Sequence, residues 1–415
     1  MKRLTLLFIA LLLGGCATQN KQLTQHAFNH AAQVKGTAAV MPAPTSQMDR
    51  FSVSNLKPAA KPPTASLEGG LWMELDRIEA GYRTSGKRIK DVALQEYIKG
   101  ITCRLAGQYC ADIRLYIMRV PHFNANMAPN GAMQVWSGLL LRARNEAQLA
   151  AVLGHELGHY LRRHSMQHYK TAVEMSNGMT ILSLALAYGG AGNYTNTLHM
   201  IGQSSLAAYS RDHEREADGY GLRLLVDGGY DPREAYKIWQ NLIAEKDAGK
   251  GRYHEHSLFA SHPPSEERQS SLQTLAEAHL TQHAAGEIGQ SRYQRALTPW
   301  IDRLIQDEVD RESFASSDQL FEQMANDRFF KARALFARGE LRRVRGEKED
   351  YEAALSFYKK ALETAPEYAP TYQSMGVVLR RLKRTAEAKA AYRTYLDKEP
   401  QAEGAAFIRR YLGES

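Results

Sequence analysis

Between residues 146 and 161 the chain reads EAQLAAVLGHELGHYL, with apolar residues at the three-to-four spacing of a helix that has one buried stripe. With Leu149 at zero on a helical wheel and steps of about 100°, Leu153 and Tyr160 fall within about 40° of it and Val152 lies just to the other side. Glu156 lands in the middle of that stripe, and His155 and His159, one turn apart, share its edge. A carboxylate among apolar side chains is costly unless something nearby compensates it. Upstream the pattern predicts helices over Leu71 to about Arg83 and Asp91 to Ala106, then a strand from the alternation in IRLYIMRV at 113 to 120. NANMAPNG and AMQVWSG follow as an edge strand, a turn at Pro129 to Gly131 and a second strand at 132 to 136. Asn145 is placed to cap the motif helix, with Gln148 in capping-box position.

The two ends of the chain follow other patterns. Lys2 and Arg3 precede an apolar run from Leu4 to Leu13 that is too short to span a bilayer and has the form of a signal-peptide core. It ends in LGGC, which resembles the bacterial lipobox and puts the lipid on Cys16; Ala17 then stands where an Asp would signal retention at the inner membrane. An ordinary signal peptide with an incidental Cys is the alternative. From Ala17 to about Ala65 the Ala-, Gln-, Thr- and Pro-rich stretch reads as a tether, and the folded part begins near Leu67. The apolar run Met179 to Tyr188 is also too short to span, and is expected as a helix beside the site or on the membrane surface. Beyond about residue 300, Ala354, Tyr358, Ala361 and Pro366 recur 34 residues later as Ala388, Tyr392, Tyr395 and Pro400, the tetratricopeptide period. A preceding copy, around Leu335 to Arg343, needs about three extra residues in the RGEKEDYE turn.

Composition narrows the possibilities. The 415 residues suffice for two or three domains, and the formal charge of +8 falls by two when Lys2 and Arg3 are removed. No basic run is interleaved with aromatics, which argues against a nucleic-acid partner. Cys103 and Cys110, seven apart in an exported chain, suggest one disulfide, with a pair of free buried thiols as the alternative.

HExxH on a helix is a zinc signature: His155 and His159 reach one metal and Glu156 polarises its water. A catalytic zinc needs a third protein ligand from elsewhere. The metzincin arrangement is excluded, because Arg162 and Ser165 stand where a Gly and a His are required and His164 is out of phase. Downstream, Glu214 and Asp218 lie one helical turn apart in HEREAD, as a gluzincin requires: Glu214 as ligand, Asp218 accepting the free N–H of a ligand His. His213 is the competing ligand.

HELGH, SRDHEREAD and the later SHPPSEER together resemble the Ste24/HtpX-like family of zinc metallopeptidases, in particular its periplasmic BepA-like branch, over about residues 67 to 275. The resemblance implies zinc held by His155, His159 and Glu214, with Glu156 as catalytic base. NANMAPNG looks like the family's substrate-pairing edge strand, which makes Asn126, Met127 and Ala128 substrate-binding candidates; Met127 and Asn130 depart from the family's usual form. By the same resemblance His262 and Arg268 are candidate donors to the oxyanion. His262, preceding Pro263 on a loop, has a second possible role as a fourth metal ligand that closes the site, and a third as a residue that merely packs in its turn.

The expected fold is α+β, mostly α: a signal peptide at 1–15, a lipidated tether at 16–66, a gluzincin metallopeptidase domain with a small sheet at 67–300, and a helical tetratricopeptide-like domain at 301–415. The expected function is a zinc endopeptidase of the periplasm, lipid-anchored to the outer membrane, that cleaves unfolded or misassembled envelope proteins and meets the outer-membrane assembly machinery through its repeats. The alternative is a zinc-stabilised scaffold that binds outer-membrane clients without cleaving them.

Overall fold

The computed structural model describes residues 49–53, 56–175, 209–249, 262 and 266–414. The expected signal segment, Cys16, most of the expected tether, the run Met179 to Tyr188 and the loop ahead of His262 lie outside the described residues. Ser66 caps helix α1 (Leu67–Thr84) by accepting from Gly69 N, and Asp91 caps α2 (Val92–Ala106) by accepting from Leu94 N. A disulfide joins Cys103 on α2 to Cys110 in the 3-10 turn that follows.

Strands β1 (Arg114–Met118), β2 (Ala125–Met127) and β3 (Ala132–Trp136) form a sheet in the order β1-β3-β2, with β1 parallel and β2 antiparallel to β3. β2 is therefore an edge. Trp136 N donates to Asn124 O and Ala128 N to Ala132 O, so the alternate residues Ala125 and Met127 turn their main-chain groups away from β3. The turn between β2 and β3 requires Gly131: its φ is 92°, and a Cβ there would stand 2.2 Å from Asp112 O. Asn130 ties that turn to α1, donating from Nδ2 to Asp76 Oδ1 at 2.9 Å and to Glu79 Oε2 at 3.0 Å.

After the short α3 (Ser137–Arg142), Asn145 caps α4 (Glu146–Leu161) by accepting from Gln148 N at 2.9 Å. The Gln148 side chain accepts from Arg144 N, where a capping box would use Asn145 N. Every residue of α4 is buried, not one stripe alone, because β2, α2 and two later helices surround it. After α5 (His164–Met175) these are α6 (Arg211–Asp227) and α7 (Arg233–Ala248).

Where α4 crosses α6 the two backbones touch. A Cβ on Gly154 would lie 2.9 Å from Gly221 O, one on Gly158 2.7 Å from Ala217 O, and one on Gly221 2.8 Å from His155 N. These are main-chain contacts that no rotamer change relieves. Phe51 packs on the same helix, 5.5 Å from the Tyr220 ring and over Gly219, while Tyr109 donates its hydroxyl to Val53 O and Leu56 O. The tether expected to run to residue 66 is thus docked from about Phe51 onward, because its few large apolar residues pack against the folded body.

Helices α8 (Glu266–Leu280), α9 (Gln290–Leu297), α10 (Ile301–Val309), α11 (Phe314–Met324) and α12 (Lys331–Arg345) follow. One hydrophobic core runs from Ile89 through α4 to Leu341, so the boundary expected at residue 300 falls inside it. Buried Arg142 bridges that point, donating Nε to Glu245 Oε2 at 2.8 Å and Nη2 to Glu308 Oε1 at 3.0 Å. The repeats follow as α13 (Asp350–Thr364), α14 (Ala369–Arg381), α15 (Thr385–Lys398) and α16 (Ala405–Leu412). A Cβ on Gly339 would meet the Tyr358 ring at 2.3 Å, and one on Gly376 the Tyr392 ring at 2.5 Å. These equivalent contacts span 19 and 16 residues, and the difference is the three extra residues of the first turn. The fold is α+β and mostly helical; among the described residues no helix is long and apolar enough to cross a membrane.

Gly158→Ala should destabilise the metal-free protein by about 1–3 kcal/mol, seen as a lower urea midpoint. Gly70→Ala, on an open face of α1, should be neutral or slightly stabilising. Equal midpoints for the two variants would mean that α4 and α6 do not touch as described.

Candidate metal centre

Separate elements converge at the crossing. α4 presents His155 and His159; α6, whose Ser210 cap accepts from His213 N, presents Glu214 in its first turn and Asp218 one turn later. His262 precedes α8, and Arg268 stands in the first turn of that helix. Ligand atoms of His155, His159, Glu214 and His262 all lie within 4.8 Å of one another, and all four residues are buried. His155 Nε2 is 3.1 Å from His159 Nε2 and 3.2 Å from His262 Nδ1. Glu214 Oε1 is 2.9 Å from His262 Nδ1 and 3.3 Å from His159 Nε2. Donors around a tetrahedral ion with bonds of roughly 2.0–2.1 Å stand about 3.3 Å apart. His213 stacks on His164 at 4.4 Å and is not among the clustered donors.

The proton positions point the same way. Asp218 Oδ1 lies 2.9 Å from His155 Nδ1. A carboxylate only accepts, so the imidazole proton sits on Nδ1 and the Nε2 lone pair is turned toward His159. Unshielded nitrogen lone pairs this close repel, and a shared cation removes the repulsion. The residues present therefore fit a divalent metal.

Glu156 stands beside the cluster and outside it. Among the described residues its Oε1 accepts no hydrogen bond, and His262 Nε2 is 3.8 Å away. Burial raises its pKa, against the opposing pull of His262 and His155. Burial would raise Glu214 and Asp218 too, yet both carboxyls are held below their ordinary values, Glu214 by His262, His159 and Arg268, and Asp218 by Arg268 and His155. For His159, burial depresses the pKa. His262 is also desolvated, but the Glu214 and Glu156 carboxylates raise it.

Arg268 is committed to these carboxylates. It donates Nε and Nη2 to Asp218 at 2.7 Å each, and its Nη1 is 2.6 Å from Glu214 Oε2. Its guanidinium also lies 4.7 Å over the Trp239 ring, which in turn packs 6.2 Å from the His155 ring. To serve as an oxyanion donor it would have to share or release one of these bonds. Trp239 and Tyr209 were not foreseen from the sequence. Tyr209 stacks on His159 at 4.1 Å and its hydroxyl is 2.5 Å from Ser165 Oγ; an aromatic residue directly ahead of the capping Ser210 was the signal for it, whereas nothing near Trp239 marks it out. β2 lies directly against α4, with Asn126 Nδ2 buried and without a hydrogen-bond partner among the described residues, Met127 buried and Ala128 half-buried.

Residues 90–276 match the model of peptidase family M48, and residues 347–411 match a tetratricopeptide repeat. Mitochondrial metalloendopeptidase OMA1 of Schizosaccharomyces pombe is 34% identical over 155 residues, 37% of this chain and 44% of its own length. Metalloprotease YcaL of Escherichia coli is 30% identical over 188 residues, 44% of this chain and 66% of its own length. The beta-barrel assembly-enhancing protease of Escherichia coli is 26% identical over 196 residues, 45% of this chain and 39% of its own length. The chain thus spans less than two thirds of the length of each of these relatives.

Proposed function

The chain carries a peptidase family M48 domain followed by tetratricopeptide repeats, and from that premise we propose that it is a zinc-dependent endopeptidase of envelope protein quality control. The observation that carries the reading is the buried donor set His155, His159, Glu214 and His262 with Glu156 beside it, whose Oε1 accepts no hydrogen bond among the described residues. His155, His159 and Glu214 would hold the metal, Asp218 would orient His155, and Arg268 would brace both carboxylates. When bound, zinc supplies Lewis acidity toward the substrate carbonyl and lowers the pKa of a water. Glu156 takes a proton from the attacking water and passes it to the leaving amine, a role suited to a desolvated carboxylate with a raised pKa. The outer edge of β2, where Met127 between Asn126 and Ala128 turns its main-chain groups away from β3, pairs with an extended substrate.

The name of one relative, beta-barrel assembly-enhancing protease, suggests outer-membrane β-barrel proteins as clients. The repeats would bind these clients or their assembly machinery, and lipid on Cys16 would hold the enzyme to the outer membrane on its periplasmic side. His262 is the latch: as a fourth donor it closes the centre in the resting enzyme. That same closed set favours a second reading, a metal-stabilised scaffold, because four protein ligands are the mark of structural zinc sites.

Three variants test these assignments. Glu156→Gln should keep one zinc per chain and cut turnover of an unfolded β-barrel protein by about 100-fold or more; equal cleavage by both proteins would support the scaffold. For His262→Ala, zinc should be retained and activity should rise, a fall would make His262 an oxyanion donor, and no change would exclude both roles. Cys16→Ser should leave the membrane fraction on cell fractionation, and continued association would refute the lipid anchor.

A further inference from the structure

His164 has no part in the chemistry described so far, yet it is fully buried against the candidate metal centre. Its Nδ1 lies 2.9 Å from His159 Nδ1, and its Nε2 lies 2.9 Å from Glu216 Oε2. His213 stacks on one face of its ring at 4.4 Å, and Arg162 Nε stands 2.8 Å from the other Glu216 oxygen. We propose that His164 and Glu216 form a positioning chain that fixes the tautomer and orientation of His159, an inference that rests on His159 being a metal ligand.

The directions of the hydrogen bonds follow from the chemistry. If the Nε2 lone pair of His159 is given to a metal, its one proton sits on Nδ1 and must be donated to His164 Nδ1. His164 then carries its proton on Nε2 and donates it to Glu216. Every proton in the chain has one place, and the acceptor at its end is a carboxylate. Asp218 does the same for His155 in a single step. The two imidazoles from α4 are thus oriented by two carboxylates of α6, Glu216 and Asp218, one directly and one through an intervening ring.

The test uses the purified full-length protein stripped of metal, with zinc affinity measured by competition against a chromophoric chelator and the thermal midpoint of the metal-free form measured in parallel. His164→Leu removes the acceptor and should weaken zinc about 10–100-fold. His164→Asn places an amide oxygen near the former Nδ1 and should recover most of that loss. A role in packing alone would instead lower the metal-free midpoint and leave the affinities of the two variants equal. Zinc bound as tightly by His164→Leu as by wild type, or as weakly by His164→Asn as by His164→Leu, overturns the proposal. If His164→Leu fails to fold, Glu216→Ala decides, since that side chain is 33% exposed. It should weaken zinc by up to about 10-fold, and unchanged affinity overturns the proposal. A wild-type chain that takes up no zinc would overturn the metal reading itself and this inference with it.

Discussion

The backbone contact between α4 and α6 is the constraint on which the site depends. Gly154 and Gly158 on one helix meet Gly221 and Ala217 on the other, and a side chain at any of the three glycines would drive main chain into main chain. A closer approach than ordinary side chains permit lets short carboxylates on α6 reach imidazoles on α4: Asp218 meets His155 at 2.9 Å and Glu214 meets His159 at 3.3 Å. A wider crossing would leave these pairs to be bridged by water, and the same carboxylates would then be poor ligands and poor acceptors. The glycines that look like helix-weakening choices in GHELGH are what make its chemistry reachable.

Charge balance sets the second condition. Glu156, Glu214 and Asp218 are all within a few per cent of complete burial, and three buried carboxylates are costly unless they are compensated. Arg268 matches one, through hydrogen bonds to Asp218 and an ion pair with Glu214. A divalent cation would match the remaining two, and without it a proton on His262, held between Glu214 and Glu156, is the compensation the geometry allows. Protonated, His262 stands in for the metal's charge when the site is metal-free; neutral, it can donate to the metal, and both states draw this loop histidine into a site whose other donors sit on two helices.

Much of this could be read from the sequence, and the rest could not, for physical reasons. The spacing of His155, Glu156 and His159 is local, because one helical turn brings them together whatever the rest of the fold does. The edge position of β2 and the disulfide partner of Cys103 were also legible from short-range patterns. His164 was set aside because its register fitted no metzincin ligand, and register says nothing of a role one shell farther out. Trp239 and Tyr209 reach the site only through tertiary packing. The boundary expected at residue 300 falls within one continuous hydrophobic core for a related reason. The repeat period marks where tetratricopeptide helices recur, whereas the peptidase core claims the helices ahead of them.

That shared packing bears on how a repeat module works with the site. α12 sends Ala334, Ala337 and Leu341 into the peptidase core, while Leu335 and Phe336 of the same helix enter the core of the repeats. One rigid helix therefore belongs to both, and the buried Arg142 clip to Glu245 and Glu308 reinforces the peptidase side of the connection. A hinge at residue 300 would have to break a continuous core and separate the buried Arg142 guanidinium from the buried Glu308 carboxylate, at a cost of several kcal/mol. Any flexing between repeats and active site must then arise within the repeat stack, beyond α12. The first repeat therefore stands at a distance from the edge of β2 that packing fixes.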